Sequence, residues 1–257
     1  MINDTELQAH PVHPARRPMS WLAVVAFSLA LVVAIAGAMA GFGTRWNLWT
    51  FRTGFGILRY AAYGGIAVAV IAVAAALHSR PRSGRRGFIL SFIALLIGLV
   101  TFGIPWQTRR SAAGAPPIHD ITTDTDNPPS FVAVVPLRAD APNPPTYEGE
   151  TIASQQRGAY PDIRPVVLDL PPDRAFQRAL DAAEAMGWEI VDSNAAEGRI
   201  EATDQTFWFG FKDDVVIRVT PLEARSVVDV RSKSRVGRGD LSTNARRIRN
   251  YVERLNT

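Results

Sequence analysis

Apolar positions follow two different rhythms along this chain. Residues 21–40, 60–77 and 88–106 are three runs without a single Asp, Glu, Lys, Arg or His. At ~1.5 Å per helical residue each is long enough for the ~30 Å hydrocarbon layer, so each predicts a transmembrane helix. Beyond residue 171 the rhythm is that of a folded soluble domain. Residues 173–187 put Phe176, Ala179, Leu180, Ala183 and Met186 on one helical face, with Pro172 near the start and Gly187 at the end. Four segments rich in Val, Ile and aromatics follow, at 188–192, 199–211, 215–220 and 226–234, and each predicts a strand. Residues 241–255 close as a helix with Leu241, Ala245, Ile248, Val252 and Leu255 inward. The stretch before them, 116–172, is rich in proline and reads as an extended arm with one strand at 131–135. The expected architecture is α+β: three transmembrane helices, then a four-stranded antiparallel sheet packed by two helices. The expected divisions are a cytoplasmic tail at 1–19, a membrane domain at 20–110, the arm at 111–171 and a compact domain at 172–257.

Charge sharpens the membrane reading. The formal net charge is +4, yet Arg16, Arg17, Arg45, Arg52, Arg59, Arg80, Arg82, Arg85, Arg86, Arg109 and Arg110 all flank the apolar runs, opposed there only by Asp4 and Glu6. From Pro116 onward acids outnumber bases. That distribution is a topology signal and not a nucleic-acid footprint. The 80–86 hairpin holds the densest cation cluster and is placed in the cytoplasm. Three spans then put the carboxyl-terminal domain outside, in a diderm bacterium the periplasm, with the chain multi-pass in the inner membrane. A signal peptide is the rival reading of the first run, since Ala38-Met39-Ala40 fits a small-x-small cleavage site. Ion pumps and charged-substrate transporters need an ionisable group inside a span, and these runs offer none.

Cysteine is absent and the histidines are His10, His13, His78 and His119. Disulfides, thiolate nucleophiles and thiolate metal sites are therefore excluded, and any His-dependent triad in the soluble half would have to use His119. No cofactor motif is present. Alternation in 226–234 places Asp229, Arg231, Lys233 and Arg235 on one face, which Arg218 and Glu201 can join, and Gly237-Arg238-Gly239 precedes a helix start. Arg218, Arg231, Lys233, Arg235, Arg238 and Gly239 are thus a candidate anion site, against a solvated sheet face in which Asp240 or Ser242 caps the helix. Asp120, Asp124 and Asp126 are a weaker candidate for a hard cation, against Asx-turn chemistry. Asp213-Asp214 reads as a hairpin turn. Phe207, Phe209 and Phe211 share one strand face opposite Trp208, as core, as a ligand groove or as an edge dipping into lipid headgroups.

His119-Asp120-Ile121-Thr122-Thr123-Asp124, Asn127-Pro128-Pro129, Ala159-Tyr160-Pro161, the 207–211 aromatic run, and Val228-Asp229-Val230-Arg231-Ser232 through Gly237 to Asp240 and Asn244-Ala245 together resemble the bacterial and plastid domain-of-unknown-function family 1499. The resemblance covers roughly residue 118 to the end. It implies similar amino-terminal spans and carries no activity with it. Two functions remain open on sequence: a non-enzymatic extracytoplasmic module binding a partner protein or an anionic lipid or glycan headgroup, or a hydrolase using Asp124 and His119.

Overall fold

A computed structural model describes residues 17–257; the rest of the expected tail, with Arg16, His10 and His13, lies outside them. The described residues up to Met39 together with Phe55–Pro105 form one compact unit, and Ala40–Gly54 with Trp106–Thr257 form a second.

Three helices are long and apolar enough to cross a membrane: α1 (Trp21–Arg45), α2 (Phe51–His78) and α3 (Phe88–Ala113). Each outruns its apolar run, because a helix satisfies its own backbone and can continue beyond it into arginine-bearing turns. The third does not stop with its apolar run at residue 106. It carries Pro105 internally and continues to Ala113. In the first unit the buried seam is built from small residues, Ala23, Ala26 and Ala30 with Ala72, Ala75 and Ala94. At Gly65 and Gly98 the backbones of α2 and α3 meet so closely that a Cβ on either would lie 2.6–2.7 Å from the other's carbonyl oxygen. Small residues allow this approach where no hydrophobic force drives helices together. At one end, Ser20 N–H donates to Arg86 O at 2.9 Å, and Arg86 N–H to Pro18 O at 3.0 Å. The chain entering α1 is thereby stitched to the α2–α3 loop.

The second unit is α+β, as expected, but its sheet has six strands rather than four. β1 (Asp120–Thr122), β2 (Val166–Leu168), β3 (Glu189–Asn194), β4 (Arg199–Gln205), β5 (Lys212–Leu222) and β6 (Arg225–Ser234) are all antiparallel to their neighbours, in the order β1-β6-β5-β4-β3. β2 shares the outer edge of β6 with β1. Both added strands lie in the proline-rich stretch and are three residues long, too short for a period to show. That stretch also holds α4 (Glu150–Ala159). Gln156 of α4 donates to Thr122 O at 2.5 Å and accepts from Thr122 N–H at 3.0 Å, closing the outer edge of β1 with a side-chain amide.

On one sheet face lie α5 (Pro172–Ala185) and α6 (Thr243–Leu255). Phe176, Ala179 and Ala183 meet Ile200, Ile217, Val228 and Val230, with Ala245, Ile248 and Leu255 from α6. Tyr251, fully buried, stacks on Trp188 at 5.2 Å and donates to Ala179 O at 2.8 Å. Leu241 does not join this core. It is exposed with a positive φ of 55°, and α6 begins two residues later, because Asp240 accepts the Ser242 and Asn244 amides and fixes the helix start there.

Candidate functional site

The opposite sheet face carries the polar chemistry. The registers align Thr203 with Asp214 and Lys233, Glu201 with Val216 and Arg231, and Arg199 with Arg218 and Asp229. β1 extends the rows by pairing Asp120 with Lys233. The cations predicted to share a face do share it. That face is not open to solvent, however, because residues 129–148 run across it as a strap. Arg231 is 2% exposed and Lys233 fully buried.

Three knots tie the strap down. In the first, Arg231 donates Nε and Nη2 to the two oxygens of Asp120, each at 2.8 Å, a fork-on-fork pair. Its remaining donors reach Pro129 O at 3.1 Å and Pro145 O at 2.9 Å, and its guanidinium lies between the rings of Phe131 (4.9 Å) and Tyr147 (5.2 Å). Lys233 Nζ sits 3.1 Å from Asp120 and donates to Thr146 O at 2.8 Å. In the second, Asp214 accepts from Arg138 (2.5 Å), from Arg235 (2.9 and 2.8 Å) and from the Thr203 hydroxyl (2.7 Å). In the third, Glu201 accepts the N–H groups of Val132, Ala133 and Val134 at 2.9–3.0 Å, and also takes Arg199. Three successive amides aimed at one carboxylate form a concave anion nest, so residues 131–135 are a turn and not the strand expected there.

The other expected site residues fall as follows. Asp213 and Asp214 are strand residues, both buried. Asp213 serves the helical face, where Arg247 pairs with it at 2.6 Å and with Asp204 at 2.7 Å. The real turn is 206–211, so the aromatic run loops instead of alternating on a strand. Asp124 caps the turn after β1, accepting from Asp126 N–H (3.1 Å) and Asn127 N–H (2.9 Å), while its other oxygen meets Arg218 at 3.0 Å. Arg218 also pairs with Asp229 at 2.8 Å. Asp120, Asp124 and Asp126 thus take different partners, and among the described residues no three His, Asp or Glu side chains group as a metal site requires. His119 Nε2 lies 3.3 Å from Glu148, and its carbonyl accepts from Asn244 at 3.0 Å. Arg238 and Gly239 lie exposed in the loop before α6. Sequence reasoning missed Arg138, Phe131 and Tyr147 as partners of the cation row. The usable signal was that Glu201 and Asp214 would need counterions on a face flanking Val216.

Burial sets the titration behaviour. It pulls the Arg138 guanidinium below its ordinary value against the opposing pull of Asp214, and it raises the Asp240 carboxyl. It pushes Tyr147, whose buried hydroxyl has no hydrogen-bond partner, up to about 12, with Asp120 adding to the rise. Tyr251 is likewise raised by burial. A phenol whose folded value lies above its ordinary 10.0 stabilises the fold fully below that pH, and the contribution is lost as pH rises toward the folded value. Denaturant midpoints of the full chain in detergent are therefore expected to fall through this alkaline window. Tyr147→Phe should flatten the fall; an unchanged slope would show a solvent-reachable phenol.

A second feature lies on the helical side, a groove of about 610 Å3 bordered by Leu170, Arg174, Gln177, Arg178, Asp181 and Arg254. Gln177 holds Asp181 at 2.7 Å.

Apolar helices of spanning length joined to a strapped, ion-paired sheet define a class: an α+β domain carried on candidate membrane helices. Within that class the chain belongs to the family described as Protein of unknown function (DUF1499), whose model matches residues 120–255. The match opens on Asp120, the counterion of Arg231, and closes on the last residue of α6. No curated protein is significantly similar to the chain.

Proposed function

We propose that this chain is a non-enzymatic, membrane-anchored binding module whose sheet domain lies on the extracytoplasmic side of a bacterial inner membrane. The observation that carries the reading is the strapped face, where carboxylates and cations are committed to one another and to strap carbonyls. That use suits a rigid scaffold. An acid or base kept for catalysis must reach a substrate proton, whereas Asp124, the residue a hydrolase would use, has both oxygens engaged within the fold. Sidedness is supported by Arg17 and the Arg80, Arg82, Arg85 and Arg86 loop, which the stitch before α1 brings to one end. Clustered cations of this kind stay in the cytoplasm, and three spans then carry the domain across. For a ligand, the groove offers Arg174, Arg178 and Arg254, donors suited to a carboxylate or phosphate on a partner protein or an anionic headgroup.

The absence of native cysteine makes the test direct. In cells with a permeabilised outer membrane, Ala185→Cys in the groove is expected to react with a membrane-impermeant maleimide, and Ser83→Cys to react only after lysis. The reverse pattern would move the domain to the cytoplasm. Labelling of Ala185→Cys should also be slower in native membranes than in purified protein, with Arg174→Ala/Arg178→Ala removing the difference. Equal rates throughout would mean an unoccupied groove and end the binding reading.

A further inference from the structure

The loop joining β4 to β5 is unusual for a water-facing hairpin. Residues 206–211 read Thr-Phe-Trp-Phe-Gly-Phe, and they are held stiffly: Gly210 N–H donates to Thr206 O at 3.1 Å, and Phe211 N–H to the Thr206 hydroxyl at 2.8 Å. Gly210 takes a positive φ of 69°. Within the same unit this loop docks on residues 40–54, the last turns of α1 and the start of α2. Arg45 donates Nη1 to Thr206 O at 2.8 Å and Phe207 O at 3.0 Å. Phe42 stacks on Trp46 and meets Phe207 edge-on, each at 5.6 Å. Trp208 lies against Gly41, where any Cβ would strike its ring. Despite these contacts Phe207 is 78% exposed, as are Trp46 (59%), on the same Phe42 ring, and Leu48 (62%), two residues further along the chain.

We infer that the β4–β5 tip is itself a membrane-contacting element, with Phe207, Trp46 and Leu48 seated in the headgroup–acyl boundary of a bilayer. The occupant follows from continuity. The patch is built around the end of α1, a helix apolar enough to cross a membrane; Trp side chains such as Trp46 concentrate at that depth because one end is apolar and the other wet, and the exposed apolar Phe207 and Leu48 gain by leaving water there. Arg45 supplies the polar half of the arrangement by donating to the Phe207 carbonyl and adding a second donor to the Thr206 carbonyl that Gly210 already holds. The sheet domain is then held to the lipid at a second point besides its covalent tether.

The test uses the full chain in lipid nanodiscs. Phe207→Cys, Leu48→Cys and, as a control at the far end of β5, Glu223→Cys are each labelled with an environment-sensitive fluorophore. Lipids doxyl-labelled near the headgroup are expected to quench most of the emission at 207 and 48 and none at 223, with blue-shifted spectra at the first two. Quenching at 48 without 207 would leave the tip in water and overturn the proposal. Emission at 207 that is blue-shifted but unquenched by lipid would show a protein surface there, a second copy included, and would overturn it equally. Unaltered thermal unfolding of Phe207→Cys shows that the probe reports on the native tip.

Discussion

Asp214→Asn is expected to destabilise the sheet domain by about 3–5 kcal/mol, the cost of leaving a buried ion without its counter-charge. Asp214 is fully buried and is the one carboxylate shared by Arg138 and Arg235, so its neutralisation strands two guanidinium groups. In a domain of this size the loss corresponds to a fall in Tm on the order of 10 °C, readable by near-ultraviolet dichroism of the full chain in detergent. The Trp188–Tyr251 stack supplies the chiral signal. A change below about 1 kcal/mol, as exposed pairs give, would mean that water reaches this knot.

The second large effect is expected at Arg231. Alanine there leaves Asp120 with Lys233, so the charge balance is partly kept, but the carbonyls of Pro129 and Pro145 lose their donor and the Phe131–Tyr147 pair loses its filling. A loss of about 3–5 kcal/mol is again expected, from a cavity plus unsatisfied buried acceptors. It should be local in character. Amide exchange and protease cleavage should accelerate across 129–147 before the α5–α6 side opens, and Arg231→Lys should recover only part of the loss, because an ammonium lacks the planar fork. Uniform acceleration over both faces would contradict a strap that opens independently of the helical side.

The three long apolar helices were readable because each uncharged run is long enough to satisfy its backbone only as a helix if it crosses lipid. The helical side was readable from Phe176, Ala179 and Ala183, whose spacing matches one buried face. The polar face was legible in its alternation but not in its burial. Arg231 and Lys233 look like surface residues until their counterions are known, and the nearest, Asp120, lies 111 positions away from Arg231. Periodicity has no access to such a pairing. The same holds for Asp213-Asp214, whose composition favours a turn and whose partners, Arg247 and Arg138, override it. The proline-rich arm misled for a different cause. Proline removes donors, and at Pro129 and Pro145 the strap presents only carbonyls, to Arg231, while the donors that Glu201 takes come from the non-proline residues 132–134.

β6 has a neighbour on each edge, and this dictates an order of assembly. β1 and β2 are made first and β5 just before β6, and all three hydrogen-bond to β6, which follows them all in the chain. Until residues 225–234 have emerged, whatever machine delivers the polypeptide holds unpaired edges and an unneutralised Asp120. Loop-closure entropy must therefore be overcome before long-range contacts return anything, the signature of a slow, late and all-or-none folding step. A chain interrupted before residue 225 should persist as an unfolded target for proteases instead of a partly built domain, so a nonsense change just ahead of β6 should be as damaging as one ahead of β1.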